Sequence, residues 1–351
     1  MDKISKKHQE IIGILLEKES LSSSEIHQTV LKIGEGFSLV TIKRALTEMA
    51  SSGLLRLEGS GRATRYRLST VGRIRAEVDA KKYSSIEPDK RYGLSSYNFE
   101  LLPSFPVEIF SDGELEVLSN ATAEYEKRTK DLPPAIQKKE LERLVIELSW
   151  KSSRIEGNTY TLLDTEKLIL ENKEAPGHSQ KETHMILNHK DAFNFIHENK
   201  SYYKTMTRKN LEDLHAFLVK DLSINLGLRS KPVGVTGSIY KPLDNVHQIS
   251  EAVSELSSTV DRMHTSYAKA LVALLGISYI QPFEDGNKRT SRLMANAILL
   301  AHSRAPLSYR SVDEDEYREA VFVFYELNSI VPFKKIFISQ YDFAAKNYAV
   351  K

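Results

Sequence analysis

The stretch Ala268 to Ile280 is apolar almost without a break, interrupted by Lys269 and Ser278 and stopped by Pro282. It is too short to span a bilayer, so it reads as a helix of a protein core. Phe283-Glu284-Asp285-Gly286-Asn287-Lys288 then reads as a loop. A second helix begins near Arg289, with Leu293, Ala297 and Leu300 on its buried face. Successive backbone N–H groups in a glycine-containing loop at a helix N-terminus form an anion-binding concavity. Arg289 and Arg292 are three residues apart and share a helix face, where they can clamp phosphate oxygens. Asp285 is a hard oxygen ligand suited to a Mg²⁺ that also touches those phosphates. A Walker-type loop is not matched.

The remaining composition is that of an ordinary globular protein. The chain has 351 residues, 41% hydrophobic and 27% charged, enough for two or three domains. With no cysteine, disulfides and thiolate metal sites are excluded, and no apolar run follows the first lysines. The expectation is a cytoplasmic protein with no membrane partner. The net charge of +2 is uneven: residues 1–75 carry 13 Lys/Arg against 8 Asp/Glu, a net of +5, which leaves −3 for the rest. A polyanion partner is therefore expected for the N-terminus only.

Residues 4–18 place Ile4, Ile11, Ile12, Leu15 and Leu16 at helical spacing, and serines before Glu25 offer N-caps for a second helix. A third helix is expected over about 38–52, followed by two alternating strands around a Gly-Ser-Gly turn. This order resembles a winged helix-turn-helix domain at 1–75, with a linker at 76–113. The resemblance implies DNA contact through Lys43 and Arg44 of the third helix and through Arg62, Arg65 and Arg67 of the wing. Winged helices also serve as protein-interaction modules, so both partners stay open. From 114 the pattern is helical, except at 227–242, where glycines, a proline and β-branched residues point to a small β-hairpin.

Gln281-Pro282-Phe283-Glu284-Asp285-Gly286-Asn287-Lys288-Arg289-Thr290-Ser291-Arg292 resembles the signature of the Fic (Fido) family, H-x-F-x-D/E-G-N-G/K-R-x-x-R, in every constrained position except the first. The resemblance implies a mainly α fold over 114–351, an all-α core with a β-hairpin flap at 227–242 and a nucleotide loop at 281–292. It also implies ATP and Mg as ligands, bound through Asp285, Gly286, Asn287, Lys288, Arg289 and Arg292. The activity implied is transfer of AMP from ATP to a Ser, Thr or Tyr hydroxyl of a protein, with Ile239 and Tyr240 of the flap flanking the docked target. A homodimer is left open.

Ser152-Ser153-Arg154-Ile155-Glu156-Gly157 resembles the inhibitory motif of the same family, S/T-x-x-x-E-G/N, on an amphipathic helix at about 138–157. The resemblance implies that Glu156 pairs with Arg292 and lets ATP bind only unproductively, with Ser152 and Gly157 completing the motif.

Gln281 stands where the family keeps the histidine that accepts the hydroxyl proton. A carboxamide has no basic site that titrates near neutrality. A general base is worth ~10²–10⁴-fold, or ~3–5 kcal/mol of barrier. Binding should therefore outlast chemistry. Gln281 is compatible with a natural pseudoenzyme, with a deliberate inactivating change, or with another reaction in which Glu156 positions water to remove AMP. A DNA-binding regulator whose core only senses nucleotide is the competing expectation. His184, His189, His215, His247, His264 and His302 have no sequence reason to reach the α-phosphate and read as structural.

Overall fold

The computed structural model describes residues 4–34 and 36–350. Its backbone divides into two compact units, one of residues 1–106, 234–241 and 315–335, the other of 107–233, 242–314 and 336–351.

The first unit opens with α1 (Lys6–Lys18), α2 (Ser23–Lys32) and α3 (Leu39–Ser51). Ser22 and Glu25 form a reciprocal capping box at α2, and Ser38 caps α3. A three-stranded antiparallel sheet of order β1-β3-β2 joins Ser20–Leu21, Leu55–Glu58 and Arg65–Leu68, with Leu57 opposite Tyr66. Two short helices follow, α4 (Thr70–Ile74) and α5 (Ala80–Ser84), where the sequence reads as a charged helix and linker. Ile11, Leu15, Ile42, Leu46 and Tyr83 share an apolar cluster with Val323 and Leu327.

Segment 234–241 of this unit is turn and extended chain, where a two-stranded hairpin was expected at 227–242. Its bridge is a single parallel pairing, Ser96 with Lys241. The β-rich composition is there, but the backbone polar groups find side chains instead of a second strand. The Gly237 carbonyl accepts from Arg91 at 2.9 Å and the Ile239 N–H donates to Glu326 at 3.3 Å.

The second unit is helical, as expected: α6 (Asp112–Thr129), α7 (Pro134–Arg154), α8 (Leu162–Glu171), α9 (Gln180–Glu198), α10 (Arg208–Leu218), α11 (Val246–Arg262), α12 (Ser266–Ile280) and α13 (Asn287–Ala301). The chain ends in α14 (Glu314–Leu327) and α15 (Val331–Asn347). Helix α12 is buried on every side, as its continuous apolar run requires. It packs on α11 and α13; a Cβ on Gly276 would come within 2.3 Å of Leu256 Cδ1, so glycine permits the close approach to α11. Helices α7, α9 and α10 surround α13, which brings three other elements to the loop before it. No helix among the described residues is long and apolar enough to cross a membrane.

Candidate functional site

The loop between α12 and α13 is closed by its own asparagine. Phe283 N–H donates to Asn287 Oδ1 and Asn287 Nδ2 donates back to the Phe283 carbonyl, both at 2.8 Å. Gly286, at φ 78°, caps α13 in a left-handed conformation and offers no side chain to the first-turn amides. Those amides therefore remain directed at whatever anion occupies the loop. The Gly286 N–H itself donates to Asp285 Oδ1 at 2.6 Å.

The two arginines of α13 are buried differently. Arg292 is fully buried: Nε donates to Ser152 Oγ at 2.9 Å, Nη2 to the Ser152 carbonyl at 2.8 Å, and Nη1 forms an ion pair with Glu156 Oε1 at 2.9 Å without hydrogen-bond geometry. Glu156 follows the end of α7, in a turn that continues through Gly157 at φ 92°, and its Oε2 lies 3.5 Å from Lys288 Nζ. Burial pushes the Glu156 carboxyl up, but the charges of Arg292, Lys288 and Arg289 outweigh it and hold it below the usual carboxylate range. Arg289 is nearly as buried, yet its Nη1 meets no partner among the described residues. Burial disfavours its charge; Asp285, whose Oδ1 lies 4.0 Å from Nη2, works against that. A buried, unpaired guanidinium edge beside open helix amides is a fit for phosphate oxygens.

Asp285 is half exposed and 4.0 Å from both Arg289 and Lys181. No cluster of three metal-ligating side chains occurs among the described residues. Asp285 Oδ1 already accepts the Gly286 N–H, and a lone carboxylate fits only a cation that keeps water or ligand oxygens as its other partners, as Mg²⁺ does.

Residues 205–299 match the family described as Fic/DOC. The region spans α10 to α13 and so contains the loop. The chain is also 28% identical, over 177 residues, to a protein adenylyltransferase Fic of Nematostella vectensis, covering 48% of this chain and 41% of that relative. The match thus spans about two fifths of the relative's length. Among solved structures, Fic-1 (residues 134–508) of C. elegans superposes with a TM-score of 0.58 at 17% identity, covering 67% of this chain and 71% of that one. A Fic-domain signalling protein of Bacteroides thetaiotaomicron gives 0.55 at 20%, covering 66% and 94%. A Fic family protein of Desulfovibrio desulfuricans G20 gives 0.57 at 20%, covering 69% and 75%. These likenesses show the Fic fold.

At the head of the loop before α13, Gln281 is buried in a left-handed conformation that ends α12, and its Nε2 donates to the Ser278 carbonyl at 2.6 Å. The amide thus caps its own helix. Two neighbours that sequence reasoning missed hold this loop. Arg229, 2% exposed, donates from Nε to the Gln281 carbonyl at 2.6 Å, from its backbone to the Pro282 carbonyl at 3.0 Å, and from Nη2 to the Leu243 carbonyl. His215, read as structural, has Nε2 3.0 Å from the Asp285 carbonyl and its ring stacked on Phe283 at 3.7 Å. Burial pushes its pKa down to about 4, so the ring is neutral. A signal existed: His215 lies on the same helical face as the buried Leu211, Leu214 and Leu218. His189 is also buried, with neither ring nitrogen hydrogen-bonded among the described residues; burial, then the charges of Arg292 and Arg289, hold its pKa well below the ordinary value.

The expected docking residues lie in the other unit. Tyr240 is 1% exposed, with its ring centroid 5.4 Å from that of Tyr325. It packs there against Tyr325, while Ile239 stays partly exposed. On the N-terminal helices and sheet, Lys43, Arg44 and Arg62 are exposed and have no ion-pair partner among the described residues. Arg65 is drawn to Glu25 at 3.4 Å and to the Ser20 carbonyl at 2.7 Å, and Arg67 to Glu58 at 3.7 Å.

Proposed function

We propose that this chain is a Fic-type protein adenylyltransferase, held off by Glu156 and impaired at Gln281. The observation that carries this reading is the Arg292–Glu156 pair at 2.9 Å beside an Arg289 edge with nothing to hold. The first-turn amides of α13 and Arg289 take the polyphosphate of ATP, while Arg292 is withheld from it. Asp285 would hold Mg²⁺, which would supply charge neutralisation on those phosphates. Asn287 keeps the loop closed so that its amides converge. A Ser, Thr or Tyr hydroxyl of a target protein would then need a proton acceptor, and Gln281 has none to offer.

Replacing Glu156→Gly is expected to release Arg292 and tighten ATP·Mg binding by roughly tenfold or more, since a charge-assisted pair is worth about 1.5–3 kcal/mol. Titration calorimetry on both forms checks this. Equal affinities would leave Glu156 a structural residue and remove the autoinhibition.

A second reading, a nucleotide-sensing DNA-binding regulator, is favoured by one observation: Lys43, Arg44 and Arg62 are exposed and without an ion-pair partner among the described residues, in the N-terminal stretch that resembles a winged helix in sequence. The full chain is then expected to bind duplex DNA with a log–log salt slope of roughly −0.9 per phosphate neutralised. Replacing Lys43, Arg44 and Arg62 together should flatten that slope. Replacing Arg65 and Arg67 should do so less, because Glu25 and Glu58 already share their charge. Fluorescence anisotropy from low to high salt distinguishes these, and salt-independent binding would remove DNA from the account.

A further inference from the structure

We propose that His215 is a positioning residue of the loop, its Nε2–H pinning the Asp285 carbonyl so that the Asp285–Gly286 peptide keeps its N–H turned toward the anion site. The inference rests on the nucleotide reading of that loop.

A carbonyl only accepts, so the 3.0 Å contact requires the hydrogen on Nε2. In a trans peptide the C=O and the following N–H point in opposite directions. Holding the Asp285 carbonyl against α10 therefore sends the Gly286 N–H away from α10. There the Asp285 carboxylate meets it at 2.6 Å, within 4.0 Å of Arg289 and Lys181. One ring on α10 thus orients both the candidate metal ligand and the first loop amide.

The need for such a pin follows from the glycine. The peptide ahead of a glycine turns over at little cost, because no Cβ opposes either orientation. Turned over, this peptide would aim a carbonyl oxygen at the phosphate. The ring is placed to prevent it: it stacks on Phe283 with planes 8° apart, and its Cδ2 lies 3.6 Å from where a Gly286 Cβ would stand. Across the loop Asn287 bonds to Phe283, and Arg229 donates to the Gln281 and Pro282 carbonyls, at the end of the loop away from the Asp285–Gly286 peptide.

Two substitutions in the full chain separate the hydrogen bond from the packing. His215→Phe keeps a ring on Phe283 and removes the donor. His215→Gln places an amide N–H where Nε2 stands. Amide exchange of the nucleotide-free protein should be about tenfold faster at Gly286, Asn287 and Lys288 in the phenylalanine variant, the scale of one lost hydrogen bond, and near the parent rate in the glutamine variant. The α12 amides should exchange alike in all three. In a Glu156→Gly background, ATP·Mg affinity should fall about tenfold with phenylalanine and stay within about threefold with glutamine. Parent-like exchange in the phenylalanine variant, or equal impairment of both variants, would overturn the proposal. If the exchange pattern holds while the Glu156→Gly protein binds no ATP, the nucleotide reading falls and the pin stands.

Discussion

The chain carrying both Gln281→His and Glu156→Gly is expected to transfer AMP to protein clearly, while the unmodified chain stays near background. On the proposed reading ATP·Mg is held by the α13 N-terminus, by Asp285 and by Arg289, whose Nη1 has no hydrogen-bond partner among the described residues. What the loop lacks is a proton acceptor. Gln281 spends its amide N–H on the Ser278 carbonyl at 2.6 Å, and its oxygen is not basic. Histidine at 281 should restore ~10²–10⁴-fold, but only for substrate bound in the reactive pose. On the proposed reading, Arg292, tied to Glu156 and Ser152, would keep that pose rare. Each single change should therefore give little, and the pair more than independent effects would give. Incorporation from α-labelled ATP across the four forms is the measurement. Robust labelling by the unmodified chain would refute the missing base. A double variant that binds ATP and stays silent would refute AMP transfer.

Glu326→Ala is expected to cost about 3–5 kcal/mol of stability, the range for removing one partner of a buried ion pair. Glu326 is fully buried, and its oxygens collect Ser238 Oγ at 2.6 Å, Arg91 Nη1 at 3.2 Å and the Tyr83 hydroxyl at 2.7 Å. Without it the Arg91 guanidinium, 5% exposed, loses its anionic partner and keeps carbonyls and the ring faces of Tyr83 and Phe322, 5.7 and 5.5 Å away. Burial, and then the bond to Glu326, raise the Tyr83 pKa well above the phenol range, so that hydroxyl stays a donor. Glu326→Gln preserves an acceptor and should cost less. Denaturant unfolding checks both. A loss under 1 kcal/mol for the alanine form would mean that water replaces the carboxylate.

How much of this was legible in the sequence depended on locality. The loop and its arginines lie within twelve residues and showed themselves as a motif; so did Glu156, because a helix-ending glycine follows it. The mainly helical fold followed from periodicity. Residues 234–241 did not, because β-rich composition implies strands only if a second strand is available, and here Glu326 and Arg91 take the backbone groups. Arg229 and His215 act on carbonyls 52 and 70 residues away, and a single arginine or histidine carries no local sign of that. The burial of Tyr240 rests on Tyr325, which no spacing in the sequence connects to it.

The first unit is assembled from three stretches of chain, and its apolar cluster includes Val323 and Leu327. On a ribosome adding roughly 5–20 residues per second, residue 335 follows residue 106 by roughly 10–45 s. Throughout that interval the N-terminal helices have been made, but the side chains that complete their core have not. Ile11, Leu15 and Tyr83 wait with part of their apolar surface uncovered, and Arg91 waits for its carboxylate. The N-terminal helices therefore complete their core only after residues 315–335 have been made. In the cell, that nascent stretch is where chaperones should bind longest.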